Sequence, residues 1–148
     1  MEIQQAFELF LQDNNIPYEK HENAFFFSIE GNNYILLLDD KDSDYYRLTL
    51  PKVGVPSNIS QEQLNEILVR LTSEFKVAKV VNTDNAGIWL SYEQILRCEN
   101  MNDCSYIFSR SIKILSEMFD RYKELIGYLH TQARPQNENH VSNDTTEN

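Results

Sequence analysis

Only four glycines and four prolines punctuate this chain of 148 residues, so no glycine-rich phosphate cradle is present: P-loop, GxGxxG and GxSxG patterns are all missing. Two cysteines, Cys98 and Cys104, are too few for a disulfide framework and too far apart for a zinc knuckle or a CxxC redox pair. Basic residues are in short supply, 13 against 23 acidic ones, for a net charge of -10. Nucleic-acid binders need a cationic surplus to neutralise phosphates, and anionic membranes attract the same surplus, so both partners are excluded as expectations. No apolar run approaches the roughly 20 residues of a membrane helix. The opening MEIQQAFELFLQD has neither a basic n-region nor a long apolar core, so it does not read as a signal peptide. A cytoplasmic, reduced protein is expected.

What is present in quantity is aromatic: 8 Phe, 8 Tyr and 1 Trp in a chain that is 41% hydrophobic, enough to fill one core. Ile3, Ala6, Phe7, Phe10 and Leu11 share a stripe at helical spacing, and QDNNIP ends it, which predicts a helix over 2–13. AFFFSIE, YILLLDD and YYRLTLP then predict three strands, the first two joined by a tight turn at Gly31-Asn32. Phe25, Phe27 and Ile29 alternate with Phe26, Ser28 and Glu30; Tyr46, Leu48 and Leu50 alternate with Tyr45, Arg47 and Thr49. Such alternation implies an antiparallel sheet with one covered and one wetter face. PKVGVPSN reads as a loop. Ser60 and Gln63 have capping-box spacing ahead of the stripe Leu64, Ile67, Leu68, Leu71 and Phe75. KVAKVVN and GIWLSYEQIL predict two more strands, and a last helix, capped at Asn102 or Asp103, is expected to reach about Leu129. The fold class is therefore α+β, an antiparallel five-stranded sheet in the order α-βββ-α-ββ-α, with residues 1–130 as one domain. Residues 131–148, TQARPQNENHVSNDTTEN, hold one Val as their only sizeable apolar side chain and are expected to form a disordered polar tail.

Candidate sites are few. Asp40, Asp42 and Asp44 alternate as a calcium loop begins, but Tyr45 and Pro51 stand where such a loop needs glycine and a bidentate glutamate, and the flanks read as strands. A charged hairpin loop is the plainer reading. His21 and His130 have no Cys, His or carboxylate three or four residues away and His140 has Asp144 alone, too little for a metal-ligand pattern, so no metal or cofactor is expected. No residues assemble into a catalytic constellation, which implies a protein that is not an enzyme. The AFFFS run lacks the interleaved basic residues of a base-stacking platform and reads as core, with Phe26 on the strand's other face. The strongest pattern is in the last helix: Cys104, Ile107, Phe108, Ser111, Leu115, Met118, Tyr122, Leu125 and Leu129 follow a three-four spacing, broadened by Ile112, Phe119 and Ile126. At 1.5 Å per residue, some 27 residues give about 40 Å, more than a sheet of short strands needs for cover. Either the whole stripe packs on the sheet, or its Phe119–Leu129 part serves a second subunit or partner.

The succession of helix MEIQQAFELFLQD, meander AFFFSIEGNNYILLLDDKDSDYYRLTLP, helix SQEQLNEILVRLTSEF, hairpin KVAKVVNTDNAGIWLSYEQIL and helix NDCSYIFSRSIKILSEMFDRYKELIGYL resembles the type III secretion chaperone-like fold, including the YbjN-like family of bacterial sensory transduction regulators. The resemblance covers about residues 2–129 and rests on element order, size and acidity. It implies a homodimeric domain that binds a protein partner, chaperone-like or as a regulatory adaptor. Contact residues expected on that basis and from the stripes are Phe26, Tyr45, Phe119, Tyr122 and Ile126, rimmed by carboxylates suited to basic segments. The alternative is a small-molecule or ion-sensing regulator with a pocket between sheet and helix.

Overall fold

The computed structural model describes the backbone at positions 1–83 and 87–147 and the side chains of those positions up to 129. Helix α1 (Ile3–Asp13) is followed by four strands, β1 (Tyr18–His21), β2 (Ala24–Ile29), β3 (Asn32–Leu38) and β4 (Tyr45–Val53). Then come α2 (Gln61–Glu74), β5 (Ala78–Thr83), β6 (Gly87–Ile95) and α3 (Met101–Glu147). The fold is α+β with an antiparallel sheet and a long C-terminal helix, as expected. The sheet, however, has six strands and not five, in the spatial order β1-β2-β3-β4-β6-β5, so the element order is α-ββββ-α-ββ-α. The additional strand, YEKH, has one apolar residue and lies at the edge, where a single neighbour supplies its backbone hydrogen bonds. Periodicity has nothing to detect in such a strand. The tail expected to be disordered spans 131–148; its side chains and residue 148 lie outside the described residues, and the described backbone continues α3 to Glu147.

Further boundaries differ from expectation. Helix α3 begins at Met101, with the Asn100 side chain accepting from the Asn102 amide at 2.8 Å in place of a cap at Asn102 or Asp103, and its backbone passes the expected end near Leu129. The turn between β2 and β3 is Glu30-Gly31, one residue earlier than Gly31-Asn32: Ile29 pairs with Asn32, and both turn residues have positive φ (50° and 82°). That is the geometry of a two-residue turn matched to strand twist, and glycine takes it without a Cβ penalty. Strand β4 does not stop at Pro51 but continues to Val53 through a register shift between Leu50 and Val53, with Lys52 at φ 53°. Such an extra residue kinks the strand and re-aims a side chain. Finally, Phe75 is not in α2; it is the extended C-cap residue. The Thr83–Gly87 connection falls at 84–86, outside the described residues, apart from the Thr83 hydroxyl donating to the Gly87 carbonyl at 2.9 Å.

Because successive side chains of a strand point to opposite faces, the registers assign every residue to one of two surfaces. Phe25, Leu36, Leu48 and Tyr92 form one row across the covered face, flanked by Phe27, Tyr34, Tyr46, Leu50 and Leu90, all buried. The helices close over this face. Phe7 of α1 meets Phe25 and Phe27 of the sheet and, edge-on at 4.9 Å, Phe108 of α3; Phe108 also stands edge-on to Tyr46. Each large side chain taken from water here stabilises the fold by about 1.5–3 kcal/mol. In α2 the capping box is complete, with the Ser60 hydroxyl accepting from the Gln63 amide and the Gln63 side chain accepting from the Ser60 amide. Its Leu64, Ile67, Leu68 and Leu71 join the same core. Among the described residues, no helix is long and apolar enough to cross a membrane.

Candidate functional site

The opposite face of the sheet has no covering layer among the described residues. Its central row runs Glu19, Phe26, Ile35, Thr49, Ser91, Lys79, with Ala24, Leu37, Arg47 and Glu93 on one side and Trp89 beside Val81 on the other. Phe26 is 40% exposed and Ile95, paired with Tyr45 at the end of the same face, 73%. Thr49 and Ser91 are buried between their larger neighbours, and the Thr49 hydroxyl donates to the Ile35 carbonyl at 3.2 Å. The surface is thus low in its middle and raised around aromatic and aliphatic side chains.

It holds a groove of about 870 Å³ lined by Phe26, Ile35, Pro51 and Trp89, with Ser28, Asn33, Glu19 and Lys52 as its main polar groups. The bulge of β4 builds one wall by bringing Pro51 and Lys52 up beside Trp89. The Ser28 hydroxyl donates to the Asn33 side-chain oxygen at 2.5 Å, so these two polar groups satisfy one another across the β2–β3 pair. Further along the face, Arg47 and Lys79 both pair with Glu93. Partial burial pushes the Glu93 carboxyl up, but the two cations more than offset it and hold it below the usual carboxylate range.

The five residues singled out from the sequence separate into two places. Phe26 and Tyr45 lie on the uncovered face, Phe26 in the groove and Tyr45 half-buried near its far end. Phe119 and Ile126 are on α3, half-buried against the core, and the Lys123 ammonium stands 4.4 Å from the centre of the Phe119 ring. Tyr122 is 2% exposed, its hydroxyl donating to the Gly54 carbonyl at 2.8 Å, and has no surface to offer a partner. Trp89, Ile35 and Lys52 belong to the groove and were not singled out. For Trp89 the signal is its alternation with buried Ile88, Leu90 and Tyr92; Lys52 has none, since a bulge is not legible before the register is known.

The aspartate run forms the β3–β4 connection, as the plainer reading had it. The Asp39 and Asp42 carboxylates accept from the Lys41 and Asp44 amides at 2.8 and 3.0 Å, and Asn23 donates to Asp40. Among the described residues, no cluster of three or more His, Cys, Asp or Glu side chains could hold a metal ion. These carboxylates gather beyond the Leu37–Tyr45 end of the sheet, while the groove lining itself holds one cation and one anion. No family model matches the chain, and no curated protein matches it.

Proposed function

We propose that this is a cytoplasmic, non-enzymatic protein-interaction domain, chaperone-like or adaptor-like, that holds an extended segment of a partner protein on the uncovered face of its sheet. One observation carries the reading. An aromatic groove, with Phe26 standing 40% exposed in it, opens on a face that no element of the described chain covers. A large exposed aromatic beside half-buried apolar neighbours is the usual anatomy of a contact surface. Ridges spaced by the pleat suit a segment whose alternate side chains enter the low ground between them. The likeness to the type III secretion chaperone-like and YbjN-like fold rests on the antiparallel sheet and the long last helix, while the six-stranded order with β1 departs from it.

Capture from the native host's lysate tests this. The tagged wild-type chain should retain one protein in near-equal amount, and a Phe26→Glu variant with unchanged circular dichroism should lose it. Nothing retained above background would remove the reading. The proposed homodimer has support on α3, where Phe119 and Ile126 are half-buried and Tyr128 is exposed. Light scattering after size exclusion at tens of micromolar should give twice the chain mass, and a monomer mass would sink it. The second reading, a small-molecule sensor, would use this groove on the uncovered face in place of the expected pocket between sheet and helix; its volume lies in the range of small-ligand sites. It predicts a thermal shift with one metabolite and an unaltered shift profile in the absence of any protein partner.

A further inference from the structure

The cations of this chain are mostly spoken for. Lys20, Arg47, Arg70, Lys79, Arg97, Lys113, Arg121 and Lys123 all stand in ion pairs. Among the described residues Lys41, Lys52, Lys76 and Arg110 are in none of these pairs, and of the four it is Lys52 that stands in the wall of the aromatic groove, beside Pro51 and Trp89. It is there because of the bulge in β4, which gives Lys52 the left-handed backbone (φ 53°) that residues with a Cβ seldom adopt. Bulges of this sort serve to re-aim a side chain, and an unusual backbone beside a groove points to use. The groove lining is balanced, with one cation, Lys52, and one anion, Glu19, although the chain as a whole has a net charge of -10. Within the face, Arg47 and Lys79 are occupied by Glu93, which leaves Lys52 as the cation available to a ligand.

We infer that the segment held in the groove carries a carboxylate close to a large apolar side chain, and that Lys52 reads this carboxylate while Phe26, Ile35 and Trp89 take the apolar group. The inference rests on the docking reading above and adds to it the chemistry of the partner. It also reverses the preference for basic segments that the acidity of the whole chain suggests. Overall charge acts on encounter at long range, whereas a contact pair selects at short range. An apolar floor beside Lys52 strengthens such a pair by excluding water.

The test uses random octapeptides on beads as the probe, screened with the full chain. Peptides retained by the wild type should be enriched in Asp or Glu within two positions of Phe, Trp, Leu or Ile. Lys52→Glu should lower the affinity of a resynthesised acidic peptide about tenfold, the scale of a contact charge pair. It should also turn the enrichment towards Lys and Arg while the apolar preference stays. Phe26→Glu should abolish retention of both pools. Apolar enrichment with no acidic bias, or a bias that Lys52→Glu leaves unchanged, would overturn the inference and leave the docking reading standing. Retention that survives Phe26→Glu, or no retention by the wild type, would overturn both. Circular dichroism of each variant checks that it folds, and Lys52→Ala, which must weaken acidic peptides without attracting basic ones, provides a second variant at the same position.

Discussion

The Tyr122 hydroxyl donates to the Gly54 carbonyl at 2.8 Å and so ties α3 to the chain that leaves β4. Its ring is buried in the core and would remain so in Tyr122→Phe, which removes the hydrogen bond alone. That variant should lose about 1 kcal/mol of unfolding free energy in urea, the net worth of one such bond. A loss near zero would mean that the carbonyl is as well served by water. Tyr122 also shows what periodicity could reveal at this scale. The three-four spacing put it on the apolar stripe correctly, but a stripe does not distinguish its buried centre from its flanks, and Tyr122 is centre where Phe119 and Ile126 are flank. The cysteines make a second case. Cys98 and Cys104 are both buried, and burial, with the neighbouring Cys104 adding to it, pushes the Cys98 thiol up to about 12. Since the thiolate is the reactive form, neither cysteine should react with an aromatic disulfide reagent at pH 8 in the native protein, and both should react in guanidinium. Rapid native reaction of either would contradict this burial.

Elements were legible where one chain segment carries its own signal. The Ser60–Gln63 capping box announced α2 and is present in full. Ser60→Ala removes the acceptor for the Gln63 amide and should cost about 1 kcal/mol, measured again by urea unfolding. Alternation in AFFFSI and YYRLTL likewise gave strands with the right faces, because burial on one side writes period two into the residues. Where an element depends on its neighbour, the signal fails. The strand YEKH exists because β2 offers it a ladder, and the turn at Glu22-Asn23 that joins them has no glycine to mark it. The α2–α3 contact is of the same kind, made by a pair 47 positions apart in sequence: Arg121 donates to both oxygens of Glu74, at 2.8 and 3.1 Å, with Arg70 as a further partner. The Arg121 hydrogen bonds, with those of Arg70, pull the Glu74 carboxyl from 4.5 to about 2. A carboxyl depressed on folding adds stability that is present above its unfolded value and is lost as pH falls through the folded one. The Glu74 contribution should therefore fade between about pH 4.5 and pH 2. Thermal unfolding of Glu74→Gln across that range should fall less steeply than wild type; parallel curves would deny the clamp its role.

At the scale of the molecule, three helices cover one side of a six-stranded sheet, and among the described residues nothing covers the other. The alternation along β2 and β4 foretold two unlike faces, and Phe26 and Tyr45 were placed on the wetter one from sequence. The groove was not foretold, because Trp89 and Lys52 meet Phe26 only after β6 pairs with β4 and the bulge lifts Pro51 and Lys52. An uncovered face bearing Phe26, Ile35, Trp89 and Ile95 invites association with any similar surface. What opposes this is charge. With a net of -10 the chains repel one another at neutral pH. The net repulsion vanishes near the isoelectric point of about 4.7, where contact between apolar surfaces, the uncovered face and its groove among them, is no longer opposed. Turbidity of the wild-type protein at low ionic strength should therefore rise as pH is lowered from 7 towards 4.7. Phe26→Ser, which leaves the net charge unchanged, should suppress most of that rise. Equal turbidity in the two proteins would place the association on some other surface, and α3, with Tyr128 exposed beside Phe119 and Ile126, would then be the face to alter next.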